Sequence, residues 1–522
     1  MLKYWQCIIF SGVKTMNWQL LAVIIYFLAM LAIGFYFFIK SKENTEKDYF
    51  LGGRSMGPWV TAMSAQASDM SGWLLMGFPG AIFALGIGQV WIGIGLALGT
   101  AANWIFVARR LRRFSAAAND SITMPQYLTN RFATANPALK VVCAVIFLIS
   151  FTLYVASAFN AGTTVLCTVI PWFQNHQQLA MLVFAAIILV YTFMGGYKAV
   201  CWTDFFQGLL MLVAVLAVPI VMTQVGSFDA MYNGAFADGV TAFSTNPFTV
   251  PWQEIVTGLG WGLGYFGMPH ILVRFMAIKK SSMIKKSATV AIVWVILTLG
   301  AAIAIAILGR TFVLGGTSVA DTLLTAGKQE QIFIKIVEMI FPSFIVGLLL
   351  SAIIAAAMST ADSQLLVASS SFTSDIYQPI IRKNKAGDKE MLWVGRLVVV
   401  IVSVVAFFIA RSGMQNPDSW ASSIMSLVSN AWGLFGAAFG PVVILSLFWK
   451  RFNYAGAIAG ILAGAAVDIA WLVFLSNTGI YEIVPGFIAG LVVSVIVTLI
   501  TKKPSDDVIA IYEKATDKSI DD

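Results

Sequence analysis

In the stretch SAQASDMSGWLLMGFPG, Ser64–Gly80, a carboxylate, Asp69, stands among serines inside a long apolar run. A charge at mid-bilayer costs about 3 kcal/mol or more, so such a residue faces a cavity or a partner rather than lipid. Ser68, Ser71 and Gly72 can satisfy or relax the backbone if the helix unwinds there. An unwound turn frees carbonyl oxygens, which suit a small hard cation. The plainer alternative is an aspartate that only hydrogen-bonds a neighbouring helix.

A second irregular stretch is GLGWGLGYFGMPH, Gly258–His270, with five glycines and a proline. Each glycine inside a helix costs about 1 kcal/mol relative to alanine. Close packing through small residues accounts for one or two of them but poorly for the alternation. A second interrupted helix is therefore expected. In SAIIAAAMSTADSQLL, Ser351–Leu366, the residues Ala356, Ser359 and Thr360 have i, i+3, i+4 spacing and share a helix face. Two hydroxyls and a carbonyl there could complete an ion cage; the competing role is back-bonding to their own helix. Asp362 falls on a different face. Trp73 follows the first break, Trp261 and Tyr265 lie four apart in the second, and Tyr154 lies in another apolar span. They suit the wall of a binding site, although most membrane-helix aromatics pack or sit at interfaces.

The elements that must position these groups follow from composition. The 522 residues are 59% hydrophobic and 11% charged, with a mean hydropathy of +0.83. That is an all-α polytopic membrane protein. Apolar stretches of spanning length fall near 17–39, 58–85, 90–107, 141–170, 179–196, 205–225, 252–277, 288–308, 339–371, 392–410, 424–449, 455–474 and 483–500, about thirteen helices. The interrupted ones are the second and seventh, as two inverted repeats of five helices require. The net charge of +8 is spread over short loops rather than a nucleic-acid patch. Basic clusters occupy alternate connections, which puts the N-terminus outside and the C-terminus inside. Residues 1–15 are a short extension without a cleavage site, and 504–522 form a cytoplasmic tail.

Four cysteines without close pairing and two histidines argue against a disulfide framework or a zinc centre. No nucleophile–base pair points to an intramembrane enzyme. A channel would need a continuous polar pore, whereas the polar groups cluster at one depth. The tail is too short for a signalling kinase.

The stretches ASDMSGWLLMGFPG, GWGLGYFGMPHILVRFMA and LLSAIIAAAMSTADSQLL closely resemble the bacterial sodium/proline symporters of the sodium/solute symporter family. FLGGRS (Phe50–Ser55), CWTDFFQG (Cys201–Gly208) and GAAFGPVV (Gly436–Val443) fit as well, and the similarity runs from about Met16 to the last helix. The resemblance implies a LeuT-type fold of five plus five inverted helices with three extra helices, one symporter domain over 16–503 and repeats of roughly 56–226 and 250–450. It implies sodium-driven import of L-proline across the bacterial cytoplasmic membrane. Another small solute (a sugar, sialic acid or pantothenate) is the nearest rival.

The resemblance also implies site residues. Sodium is held by carbonyls of Ala67, Met70 and Ala356 and hydroxyls of Ser359 and Thr360. Proline lies near Ser71, Trp73, Tyr154, Trp261 and Tyr265. Asp69 serves sodium coupling, and Arg54 and Asp204 lie on the inner ion path. The expected partners are sodium, proline and lipid, with no nucleic acid, and the chain is expected to work as a monomer. Asp468, in the twelfth span, has no role in this scheme. The physics agrees: aromatic faces suit the proline ring and its ammonium, and freed amides at a broken helix suit its carboxylate.

Overall fold

The computed structural model describes residues 17–40, 46–194, 196–225, 244, 246–314, 323, 328–416 and 418–517. The extension 1–15 and most of the loop 226–251 lie outside the described residues. In a bilayer every backbone polar group must be satisfied within the protein, and helices do this within one segment. The chain answers with helices: α1 (Trp18–Lys40), α2 (Pro58–Asp69), α3 (Phe78–Leu85), α4 (Val90–Ala102), α5 (Ala108–Ala117), α6 (Met124–Arg131), α7 (Ala138–Val169), α8 (Gln177–Met194) and α9 (Tyr197–Val225). They continue as α10 (Trp252–Gly260), α11 (Pro269–Ala277), α12 (Ile284–Leu314), α13 (Ile332–Ile340), α14 (Ser343–Phe372), α15 (Asp388–Gln415), α16 (Ile424–Phe448), α17 (Tyr454–Phe474), α18 (Ile483–Ile500) and α19 (Asp506–Thr516).

Ten helices among the described residues are long and apolar enough to cross a membrane. Large apolar side chains on their outer faces are exposed, among them Leu28, Phe106, Val213, Ile296, Phe408 and Ile500. An apolar surface of that extent is made for lipid. α14 and α16 are mostly enclosed by the other helices, and α7 packs against both. α19 docks through Arg131, whose guanidinium donates to the Val508 carbonyl (3.2 Å), and through a Lys450–Glu513 ion pair (2.7 Å).

Both predicted interruptions are present. α2 begins with Pro58 at its first turn, where proline's missing N–H costs nothing. It ends at Asp69, because Met70 leaves the helical region at φ −82°, ψ 68°. The chain restarts as a wide π-turn, Trp73–Gly77, leading into α3. The second interruption passes from α10 into a tighter 3₁₀ turn, Trp261–Phe266; Met268 is then extended and Pro269 opens α11. The two broken helices are tied together at one end, where the Met56 N–H donates to the Ala277 carbonyl (3.3 Å) and the Lys279 N–H to the Met56 carbonyl (3.0 Å).

The alternating glycines of the second break have a fuller explanation than the sequence suggests. A Cβ on Gly258 would meet Trp91 at 2.5 Å, and one on Gly262 would meet the Gly95 carbonyl oxygen at 2.3 Å. On the other side, Cβ atoms on Gly260, Gly264 and Gly267 would meet Val484 at 2.5 Å, Trp432 at 2.0 Å and the Phe435 carbonyl oxygen at 2.2 Å. The segment is squeezed between α4 and the α16–α18 face, so close packing explains all five. Gly262→Ala is expected to cost at least the usual 1–3 kcal/mol of overpacking, roughly, because the obstructing atoms are backbone. Gly300→Ala, with nothing within 4 Å, is the control. Thermal unfolding of the two purified variants checks this: equal loss in both would refute the packing account.

Candidate functional site

The break after Asp69 changes where the backbone hydrogen bonds go. In an unbroken helix the Ser71 N–H would bond the Ala67 carbonyl and the Leu74 N–H the Met70 carbonyl. Here Ser71 turns to the Asp69 carbonyl (2.9 Å) and Leu74 to the Ser71 carbonyl (3.1 Å). The carbonyls of Ala67 and Met70 are thus both released from the ladder. α14 runs alongside, and the Ser359 hydroxyl donates to the Ala67 carbonyl (2.8 Å) and more weakly to that of Ala356 (3.3 Å). Thr360 follows on α14, and its hydroxyl oxygen is buried without a hydrogen-bond partner. Carbonyls released from the ladder and a buried hydroxyl without a partner are the kinds of oxygen that suit a small monovalent cation.

Next to this cage stands the aromatic wall. The Trp73 and Trp261 rings lie 5.5 Å apart, one from each broken helix, and Trp261 continues onto Tyr481 at 5.1 Å. The Tyr265 ring meets Trp432 edge-on at 5.0 Å. The Tyr265 hydroxyl donates to Asp69 Oδ2 (2.6 Å), joining the second break to the first. Asp69 therefore has a specific partner, and it sits in the protein interior, 7% exposed, rather than in lipid. Tyr154, on α7, faces the His270 ring of α11 at 6.4 Å. Ser71, Trp73, Tyr154, Trp261 and Tyr265 are all buried. Fewer amides are free for a carboxylate than the sequence suggests: Ser71 N–H is turned inward, and Trp73 N–H donates to Ser71 Oγ (3.2 Å). Close approach of α7 keeps this turn slender, since a Cβ on Gly72 would lie 2.7 Å from that of Ala161.

Arg54 and Asp204 do not meet; each contacts α11 separately. Asp204, on α9, pairs with Arg274 of α11 at 3.1 Å, and both are fully buried. Ser64 donates to Asp204 Oδ2 (2.7 Å), and Arg274 also donates to Ser64 (3.1 Å), to the His270 carbonyl (2.6 Å) and to Ser363. This network links α2, α9, α11 and α14, one turn along from Ser359. Arg274 is a partner that sequence reasoning missed, although an arginine inside an apolar span is itself a signal. Asp362 is buried close by, and neither of its carboxylate oxygens has a hydrogen-bond partner.

Arg54 sits at the end of the GGR turn, where Gly52, Gly53 and Arg54 all take positive φ (63°, 61° and 50°). Only glycine adopts that region freely, which explains the pair. The turn aims the guanidinium at Asp120 (2.7 Å), Ser115 (3.1 Å) and the carbonyls of Met276 (2.6 Å) and Ser121 (2.9 Å). Against the upward push of burial, Lys47 and Arg54 hold the Asp120 carboxyl below its usual value. Its pairing is complete at neutral pH and is lost only as pH falls through that depressed value.

At the opposite end, Glu330 caps α16. It accepts from Ser423 Oγ (2.9 Å) and from the N–H groups of Ile424 (3.2 Å) and Met425 (3.0 Å). Burial pushes this carboxyl up despite the three donors. Met425 in turn takes the Trp73 indole N–H on its sulfur (2.8 Å), so the cap reaches the aromatic wall. Trp432, Met425, Tyr481 and Asn103, whose amide donates to the Tyr265 carbonyl (2.9 Å), carry no local signal in the sequence.

Residues 49–464 match the model of the Sodium:solute symporter family. The chain is 41% identical over 486 residues to the osmoregulated proline transporter OpuE of Bacillus subtilis (strain 168), covering 92% of this chain and 94% of that relative. It is 41% identical over 500 residues to sodium/proline symporter 2 of Staphylococcus saprophyticus, covering 94% of each. A substrate-bound, outward-open sodium-coupled sialic acid symporter aligns with a TM-score of 0.75 at 21% identity, over 94% of this chain and 99% of that one. Mhp1, a nucleobase-cation-symport-1 family transporter in a closed conformation, aligns at 0.55 and 15% identity, over 89% and 98%. The fold is accordingly an all-α bundle of the LeuT type. The paired helix breaks, joined through Asp69 and Tyr265, lie within a family match that spans most of the chain, and this protein belongs to the sodium:solute symporter family.

Proposed function

We propose that this protein is a sodium-driven importer of L-proline, a transporter rather than an enzyme, working by alternating access. One observation carries the coupling: Asp69 closes the turn that frees the Ala67 and Met70 carbonyls, and it accepts the hydroxyl of Tyr265 in the aromatic wall. Sodium at the carbonyls orders the turn, and the ordered turn holds the wall. The names of the relatives, proline transporter and sodium/proline symporter, support proline over a sugar, sialic acid or pantothenate. In this reading sodium takes the carbonyls of Ala67, Met70 and Ala356 and the hydroxyls of Ser359 and Thr360. Proline takes Ser71, Trp73, Tyr154, Trp261 and Tyr265, while Asp204 and Arg54 belong to the inner ion path.

The chain lies in a bacterial cytoplasmic membrane with its N-terminus outside and C-terminus inside, functions as a monomer, and contains inverted repeats at roughly 56–226 and 250–450. Each positive charge entering down a 100 mV potential supplies about 2.3 kcal/mol, before any sodium gradient. Uptake of labelled proline into proteoliposomes tests the reading. Uptake should require an inward sodium gradient and be displaced by unlabelled proline alone. Absence of sodium-dependent proline uptake, with uptake of one of the other solutes in its place, would refute it.

Because carbonyl ligands survive ordinary mutation, the hydroxyls are the handle. Ser359→Ala and Thr360→Ala should each raise the sodium concentration for half-maximal uptake by about tenfold, the equivalent of about 1.4 kcal/mol. Unchanged sodium dependence in both variants would remove α14 from the ion site.

A further inference from the structure

Beyond the aromatic wall, α16, α17 and the start of α18 enclose two carboxylates. Asp468 lies on α17 and is 1% exposed; Glu482 immediately precedes α18 and is 8% exposed. Both aim at one point. A Cβ built on Gly433 of α16 would lie 3.1 Å from Asp468 Oδ1 and 3.3 Å from Glu482 Oε1. Asp468 Oδ1 has no hydrogen-bond partner.

Among the described residues neither carboxylate makes an ion pair with a lysine, arginine or histidine. The groups facing the pair are few. α16 offers Gly433, and one turn before it the Ser429 carbonyl accepts the Tyr481 hydroxyl (2.6 Å). Tyr481 is an ionisable group within electrostatic reach of both carboxylates and of Tyr154 on α7. The Trp261 ring of the 3₁₀ turn packs on Tyr481 (5.1 Å).

Two carboxylates that flank one point in a buried interior, with no cation paired to either, disfavour ionisation of both. A metal cation would need more oxygen ligands than the two that converge here. We propose that Asp468 and Glu482 form a proton-binding site, a carboxylic acid–carboxylate pair sharing one proton between Asp468 Oδ1 and Glu482 Oε1. Gly433, lacking a Cβ, leaves open the point that both oxygens flank.

The site is fastened to the second broken helix. The Tyr481 N–H donates to Thr257 of α10 (3.0 Å), Thr257 donates to the Gly479 carbonyl (3.0 Å), and Tyr481 lies against Trp261. Loss of the proton would set like charges against each other between α17 and the start of α18 and loosen these contacts with α10. Proton occupancy and the position of Trp261 are therefore linked, each biasing the other.

Infrared difference spectra of the purified full-length protein, recorded as pH is raised from acid to alkaline, test the site itself. The wild type should lose a protonated-carboxyl band over this range. Asp468→Asn/Glu482→Gln, close in shape to the protonated pair, should lack that band. A second readout is thermal unfolding. A shared proton stabilises the folded state at low pH, and this is lost as pH rises through the pair's value, so only the wild type should soften. An identical band or parallel unfolding in the double variant would overturn the site. So would loss of the wild-type band on adding sodium at constant pH, because the ligand would then be sodium. None of these measurements needs a transported solute, so their outcome is separate from that of the proline reading.

Discussion

Asp69→Asn is expected to raise the half-saturating sodium concentration by at least about tenfold, a loss of about 1.4 kcal/mol or more in ion binding, while leaving the fold intact. Asparagine keeps the size of the side chain and can still accept from Tyr265 Oη, but it removes the charge next to the released carbonyls. Proline affinity should fall mainly through the weaker sodium binding, because coupling between two ligands is reciprocal. Asp69→Glu should keep part of the activity. Tyr265→Phe separates the two roles: the charge remains while the bond between the breaks is lost. It should lower proline affinity and weaken the coupling more than it weakens sodium binding measured without proline. Sodium titrations of proline binding to each purified variant and to the double variant provide the cycle. A wild-type sodium dependence in Asp69→Asn would reduce Asp69 to a structural polar residue.

Arg274→Gln should be the most damaging single change to stability. It leaves Asp204 buried without its cation, and breaking a buried pair on one side costs about 3–5 kcal/mol. The network makes this worse, since Ser64, Ser363 and the His270 carbonyl lose their shared donor together. Asp204→Asn strands the opposite charge and should also destabilise. Arg274→Gln with Asp204→Asn removes both charges and should recover a substantial part of the loss. Melting temperatures of the three purified proteins decide the matter. If the double variant is as unstable as the sum of the singles, the two residues are not acting as a pair.

Much of this site was legible in the linear sequence because a membrane allows few reasons for irregularity. A carboxylate among serines at Asp69, glycine alternation around Trp261 and hydroxyls on one face at Ser359 and Thr360 each violate what a lipid-facing helix would hold. The i, i+3, i+4 spacing of Ala356, Ser359 and Thr360 is a property of one helix and is readable without a partner. The long apolar runs likewise follow from residue type alone, since hydrocarbon leaves helices as the solution.

Contacts between distant segments were another matter. Nothing local to Tyr265 says that its hydroxyl reaches Asp69, and nothing near Trp432 says that its indole donates to the Trp261 carbonyl (2.8 Å). Arg274 was visible as a charge in an apolar span, but its pairing with Asp204 depends on how α9 and α11 cross. The glycines show the division most clearly. Their alternation marks an irregular segment in the sequence, yet which neighbour each one admits is set by α4 on one side and α16 and α18 on the other. Residue type and spacing determine what a segment can tolerate along its own axis. Which group meets which across the bundle is decided by packing, because those distances depend on the whole chain at once.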